Sequence, residues 1–390
     1  MEGDFIRINK WLLPLSWLYG IGIKFRNLCF ETGMLKSRSF DIPIISVGNL
    51  TVGGTGKTPH VEYLTQLLKK HFKVAILSRG YKRKTKGFVL AQTQSGVPDI
   101  GDEPCQMKKK FPDITVAVDR DRCHGIDTLM TLEETKDTEV ILLDDAFQHR
   151  YVKPGINILL VDYHRLIIYD ELLPAGRLRE PMTEKNRADI VIVTKCPKDL
   201  KPMEYRVITK AMNLYPYQKL YFTTLKYHDL VAVFSDKKLP LDQLTADMNI
   251  LLLSGIASPK QIMVDLEQYT KKIYPLTFSD HHQFTEKDIL LIQQTYASMP
   301  APKMIITTEK DAVRLKHIQE LSDDIRKDMY VLPLEICFLL EQSNMFNKNI
   351  IDYVHKNSRN SILAQAKDDN KSNNSNYSGD RPRTISFRNN

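Results

Sequence analysis

The chain has 390 residues, 42% of them hydrophobic and 26% charged, with a formal net charge of +8. That length makes two domains the natural expectation, and the apolar content supports packed cores rather than a fibrous or disordered chain. The basic balance (pI about 9.0) points to an anionic partner, while five scattered cysteines without a CxxC pair exclude a disulfide framework and a zinc site and fit a reducing compartment.

Residues 1–30 form the first segment. Phe5, Ile6, Trp11, Leu12, Leu15, Trp17, Leu18 and Tyr19 sit among Arg7, Lys10, Lys24 and Arg26, and both tryptophans of the chain fall here. The apolar run from Trp11 to Ile23 contains Pro14 and Gly20 and is shorter than the roughly 20 residues a membrane span needs. It lacks the small-residue cleavage pattern of a signal peptide. Two readings stand: a helix packed on a core, or an interfacial anchor. The flanking positive charge favours the membrane surface.

Strand-like apolar runs then recur at 42–47, 73–78, 114–118, 139–143, 157–161 and 189–194, with helical spacers between them. The alternation predicts a parallel sheet covered on both faces. After about residue 220 the rhythm restarts, with strand-like runs at 249–253 and 303–307 and helical segments near 258–269 and 285–297. The expected architecture is α/β: a P-loop NTPase-like parallel-sheet domain over 31–222, and a second, smaller α/β domain with its linker over 223–340. The linker has two short β-like runs around Tyr227-His228-Asp229. A C-terminal helix is expected at 341–356. Residues 357–390, rich in Asn, Ser, Lys, Asp and Arg, have too little apolar content to fold and read as disordered.

The first chemistry-bearing motif follows the first strand: Val47-Gly48-Asn49-Leu50-Thr51-Val52-Gly53-Gly54-Thr55-Gly56-Lys57-Thr58. An apolar strand, a Gly-rich turn, Lys-Thr and then a helix over 58–70 are the context of a phosphate-binding P-loop. Glycines let backbone N–H groups turn inward on phosphate, and the helix adds its positive end. Lys57 is placed to reach the β/γ-phosphates and Thr58 to hold Mg²⁺. The standard spacing wants glycine at 51, where this chain has Thr51.

Downstream, Ile141-Leu142-Leu143-Asp144-Asp145 is an apolar strand ending in acids. In a P-loop protein that places Asp144 or Asp145 near Mg²⁺ and the γ-phosphate, although Asp-Asp is also a common turn. Gln148 and His149 follow, as groups to orient phosphate or as helix caps. Gly101-Asp102-Glu103-Pro104 opens a helix. Its plain reading is a charged helix start. Its functional reading is a carboxylate base beside a metal-directed carboxylate. The run Ser78-Arg79 through Gly87, with Arg120 and Arg122, lies on the ligand edge of the sheet. With one aromatic in that run, an anionic small ligand or lipid fits better than nucleic acid. In the second half, Ser279-Asp280-His281-His282 precedes a helix, and Thr308-Glu309-Lys310-Asp311 resembles a capping box.

Taken together, these strings resemble the tetraacyldisaccharide 4′-kinases of the lipid A pathway. The resemblance also includes Leu77-Ser78-Arg79-Gly80-Tyr81, Leu143 through His149, and Leu173-Pro174-Ala175-Gly176-Arg177-Leu178-Arg179-Glu180. The motifs run in family order over roughly residues 5–340, and the family's P-loop is unusual at the same position as Thr51. Departures are small: Lys82 and Ala146 stand where glycine is common.

The resemblance implies two α/β/α domains joined by a short β linker. It implies transfer of the γ-phosphate of ATP to the 4′-hydroxyl of tetraacyldisaccharide 1-phosphate, forming lipid IVA at the cytoplasmic face of a Gram-negative inner membrane, with peripheral or monotopic attachment. By motif position, Asp102 is the implied base, paired with His281. Thr58, Glu103 and Asp144 serve Mg²⁺. Thr51 through Thr58, with Asp144, Asp145 and Gln148, surround the ATP. Arg79, Arg122, Arg179 and Glu180 are implied substrate or phosphate contacts. No obligate protein partner is expected. The rival reading is a P-loop ATPase switch at the membrane, marked by acceptor-independent turnover that a protein stimulates.

Overall fold

The computed structural model describes residues 8–256, 260–279, 282, 284–316 and 318–358. Asp280 and His281, and nearly all of the polar tail at 357–390, lie outside the described residues.

The strands, in chain order, are β1 (Ile44–Asn49), β2 (Val74–Ser78), β3 (Val89–Leu90), β4 (Thr115–Val118), β5 (Val140–Asp144), β6 (Ile156–Asp162), β7 (Ile190–Thr194) and β8 (Lys219–Tyr227). There follow β9 (Leu230–Ala232), β10 (Lys238–Leu239), β11 (Asn249–Ser254), β12 (Ile273–Thr277), β13 (Lys303–Thr307), β14 (Met329–Val331) and β15 (Leu334–Phe338). They form a nine-stranded sheet, ordered β15-β8-β7-β6-β1-β5-β2-β4-β3, and a six-stranded sheet, ordered β10-β9-β14-β13-β11-β12.

The predicted strands of the first half are all present within one or two residues. Their near-continuous Ile, Val and Leu runs are buried on both faces in β1, β5 and β7, as a parallel sheet under two helical layers requires. β1 lies between β5 and β6, all parallel. The chain leaves β1 toward β2 on one side and returns to β6 on the other. That reversal of winding places a crevice at the carboxyl ends of β1 and β5, where open α/β sheets bind ligands.

The second unit's extent differs from the expectation. Residues 223–227 and β15 belong to the nine-stranded sheet, because β15 takes its backbone partners from β8 in antiparallel register, Leu334 opposite Tyr227 and Phe338 opposite Thr223. The chain therefore crosses between the sheets twice, after β8 and before β15. The closing helix, Ser343–Asn357, returns to the first core, burying Phe346, Ile350 and Val354 with Val61, Leu64 and Leu68 of the P-loop helix.

The N-terminal helix, Leu13–Glu31, has two unlike sides. Ser16, Gly20, Asn27, Cys29 and Phe30 are buried against the protein. The opposite side leaves large apolar side chains in the open, among them Trp17, Leu18, Ile21 and Phe25, with Trp11 93% exposed just before it.

Gly48 shows why one backbone position admits no side chain. A Cβ there would stand 2.7 Å from the Phe147 Cβ and 2.8 Å from its backbone nitrogen. β1 and the segment after β5 thus approach too closely for alanine. Gly48→Ala is expected to destabilise the protein by about 1–3 kcal/mol, the usual cost of overpacking, seen as a lower Tm. An unchanged Tm would mean that the two strands are free to separate.

Candidate active site

The P-loop leaves β1 and turns through Gly53 (φ 116°) and Gly56 (φ 83°), both in the region that L side chains resist. Gly56 then caps the Lys57–Leu68 helix. Inside the turn, the Asn49 amide donates to Thr55 Oγ1 at 2.9 Å. Thr51 and Val52 stand just ahead of the turn, with Val52 in the lining of the cavity and both paired to the segment around Leu178. Thr51 bridges to Leu178, and the Val52 N–H is taken by the Arg177 carbonyl at 2.8 Å. The backbone available to phosphate therefore starts at Gly53. Thr51 is tolerated in place of glycine because it sits in this short extended pairing.

Asp144 ends β5 beside Val47 of β1. Asp145 follows at φ 46°, a strained setting for aspartate of the kind found at functional sites. There its carboxylate lies 3.5 Å from Lys57 Nζ and 3.6 Å from the Arg179 guanidinium. Lys82, also at φ 59°, occupies a left-handed position of the kind that favours glycine.

Across the crevice, Gly101 (φ 91°) turns the chain so that Asp102 and Glu103 begin the Asp102–Lys110 helix. Asp102 is gripped from the second unit: Arg314 donates to its two carboxylate oxygens at 3.1 and 2.5 Å. Lys310 lies 4.0 Å from Glu103, and Lys110 pairs with Glu309 at 2.8 Å. Three opposite-charge contacts thus join the Asp102–Lys110 and Glu309–Leu315 helices. Lys110 also binds Glu62 at 2.7 Å, and burial together with nearby Glu309 pushes the Glu62 carboxyl up to about 7.

A cavity of about 1100 Å³ fills the crevice. Its lining includes Gly53 to Thr58, Arg79, Glu103, Asp145 and, toward the N-terminal helix, Tyr19 and Arg26. Asp144 is almost fully buried. Burial first, then the charges of Glu103 and Asp145, push its carboxyl up to about 7. Converging carboxylates beside the Thr58 hydroxyl are hard oxygen donors, and they fit a divalent cation that would relieve their repulsion. Among the described residues no three His, Cys, Asp or Glu side chains form a closed metal cage. That is consistent with Mg²⁺, which takes one or two carboxylates and fills its remaining positions with phosphate and water.

Arg122, Gln148 and Glu180 line the cavity and are also held by protein partners. Arg122, 2% exposed, donates to the backbone carbonyls of Asp119 at 2.6 Å and Asp144 at 3.2 Å. Burial lowers its pKa to about 10. It braces the Asp144 turn and also lines the cavity. Glu180, 1% exposed, is held between Arg187 and Arg26. Gln148 turns its amide to the Asn49 carbonyl at 2.7 Å, steadying the end of β1. His282 is occupied by Asp288 at 2.9 Å and stacks on Phe278.

Arg314 and the Thr194-Lys195 pair belong to none of the motifs read from the sequence, whereas Lys310 and Arg26 fall inside such stretches without a role of their own there. The pair's position just after a buried strand at the ligand edge was a usable signal. Arg314 had a weaker one, standing one turn beyond Lys310 on a helix whose start had been marked.

The family model for tetraacyldisaccharide-1-P 4′-kinase matches residues 8–355. A tetraacyldisaccharide 4′-kinase of Phocaeicola vulgatus is 60% identical over 363 residues, spanning 93% of this chain and 99% of that protein. One from Bacteroides fragilis is 54% identical over 377 residues, spanning 95% and 100%. The crystal structure of LpxK from Aquifex aeolicus in complex with ATP matches with a TM-score of 0.66 at 30% identity, covering 88% of this chain and 98% of that one. The chain belongs to the tetraacyldisaccharide-1-P 4′-kinase family.

Proposed function

We propose that this crevice transfers the γ-phosphate of ATP to the 4′-hydroxyl of tetraacyldisaccharide 1-phosphate, forming lipid IVA. The observation that carries the reading is one cavity lined by a P-loop with Lys57, by Asp145 just after the neighbouring strand, and by Glu103, which stands next to Asp102 on a helix clasped by the second unit. Phosphoryl transfer is largely positioning and charge stabilisation, and these elements supply both.

Backbone N–H groups from Gly53 onward and Lys57 bind the phosphates. Asp145 holds Lys57, and Arg179, paired with Asp145, adds positive charge beside it. Asp102 accepts the proton of the acceptor hydroxyl, and Arg314 fixes the direction in which its carboxylate points. Thr58, Glu103 and Asp144 are the residues that would hold Mg²⁺. When bound, that ion supplies positive charge at the phosphate oxygens. The pairing of His281 with Asp102 rests on motif position alone.

The exposed apolar face of the N-terminal helix supports docking on a lipid surface beside the open end of the cavity. No helix among the described residues is long and apolar enough to cross a membrane. Replacing Trp11, Trp17, Leu18, Ile21 and Phe25 with serine is expected to abolish sedimentation with anionic liposomes while ATP affinity stays unchanged. Equal sedimentation by both forms would refute the docking face.

The activity is tested by incubating detergent-solubilised protein with γ-labelled ATP, Mg²⁺ and tetraacyldisaccharide 1-phosphate. Label is expected in a more polar lipid. Label released only as free phosphate, whatever the acceptor, would favour an ATPase switch instead.

A further inference from the structure

A P-loop binds phosphate with backbone N–H groups, so its peptide planes must be turned the right way before the ligand arrives. Each peptide plane also carries a carbonyl on its opposite edge. Holding that carbonyl from behind sets the direction of the N–H in front.

Three successive P-loop carbonyls are held in this way. Lys195 Nζ donates to the Gly54 carbonyl at 2.5 Å. Thr194 Oγ1 donates to the Thr55 carbonyl at 2.9 Å. His60 Nδ1 lies 2.7 Å from the Gly56 carbonyl. The N–H groups sharing those planes belong to Thr55, Gly56 and Lys57.

The donors are themselves restrained. Lys195 Nζ is paired with Asp162 at 2.7 Å. Thr194 is 1% exposed at the end of β7. His60 is buried, and its Nε2 lies 3.1 Å from Thr223 Oγ1 on β8. A carbonyl only accepts, so His60 carries its proton on Nδ1, and Nε2 accepts from the Thr223 hydroxyl. Burial keeps the ring neutral, with its pKa lowered to about 4. Lys195 sits at φ 57°, an uncommon setting for lysine that structure elsewhere must sustain. Apart from His60, these groups come from β7 and the residue just after it, which carry no part of the P-loop motif.

We infer that Lys195, Thr194 and His60 are positioning residues that pre-set the phosphate nest by pinning its carbonyls from behind. The inference rests on the ATP-dependent reading above and adds the residues that order the loop before nucleotide binds. Without them, binding must itself order three peptides, and affinity falls.

Thr194→Val removes one donor at nearly equal volume, and Thr194→Ser keeps it. The readouts are Kd for ATP and for inorganic tripolyphosphate by calorimetry, KM for ATP and for the lipid acceptor, and Tm. Thr194→Val is expected to raise both Kd values and the KM for ATP by about 5- to 30-fold, the effect of orphaning a buried carbonyl. The acceptor KM should not move, and Thr194→Ser should restore binding. Lys195→Met supplies the same test should the valine variant fail to fold. Folded variants that bind both anions like the wild type would overturn the inference, as would an ATP-only effect, which would assign the donors to the nucleoside. A wild-type protein that binds neither anion would instead overturn the underlying ATP reading.

Discussion

Lys57→Ala should lower kcat/KM for lipid phosphorylation by at least about 10²–10³-fold, the scale of removing one preorganised charge from a transition state. Lys57 is the first residue of the P-loop helix, and its side chain is mostly buried in the crevice, 3.5 Å from Asp145. It brings positive charge to the place where the phosphates must sit, between the loop's N–H groups and the strand carrying Asp144 and Asp145. Removing it also leaves Asp145 to Arg179 alone, which turns a corner of net positive charge into a neutral one facing an anion. Steady-state rates with labelled ATP at several ATP concentrations check this. Activity within threefold of wild type would mean that phosphate is held elsewhere. Lys57→Arg tests whether charge alone suffices. It should recover little, because the larger guanidinium does not fit the same corner.

The second large effect is expected at Asp102. Asp102→Ala should cut kcat by about 10²–10⁴-fold, the usual worth of a positioned base. The KM for ATP should change far less, because Asp102 lies on the helix facing the P-loop rather than in it. The split matters because Asp102 also has a structural partner. Its contacts to Arg314 join the two units, so an alanine could act simply by loosening the clasp. Arg314→Gln separates the two roles: it removes the same clasp while leaving the carboxylate. If Asp102 is the base, Arg314→Gln retains much more kcat than Asp102→Ala. Equal losses in the two variants would reduce Asp102 to a clasp residue. An unchanged kcat in Asp102→Ala would defeat the base assignment outright.

The strands of the nine-stranded sheet were readable because strands buried on both faces need unbroken apolar runs, and these announce themselves. β15 and the return of the C-terminal helix to the first core were not readable. Leu334–Phe338 is a short mixed run, and nothing local says that it pairs with Thr223–Tyr227 more than a hundred residues earlier. The N-terminal segment shows the same limit. Its composition suited both a core helix and a surface anchor, and only the packed structure separates the inner face at Ser16, Gly20 and Phe30 from the outer one at Trp17, Ile21 and Phe25.

The chemistry divides in the same way. Lys57, Thr58, Asp144 and Asp145 could be named from order and spacing alone, because a phosphate cradle needs contiguous residues and a strand end beside it. Asp102 and Glu103 gained meaning from family order. The roles of Arg122 and Glu180 depend on burial, which no motif records: one braces the Asp144 turn and the other is enclosed by arginines. The grip of Arg314 on Asp102, and of Lys195, Thr194 and His60 on the P-loop carbonyls, joins residues far apart in the chain. Local sequence carries the groups proposed to touch phosphate, since their geometry is set within one turn of backbone. The groups that hold them in place are set by long-range packing, where a residue's partner depends on how whole strands and helices meet.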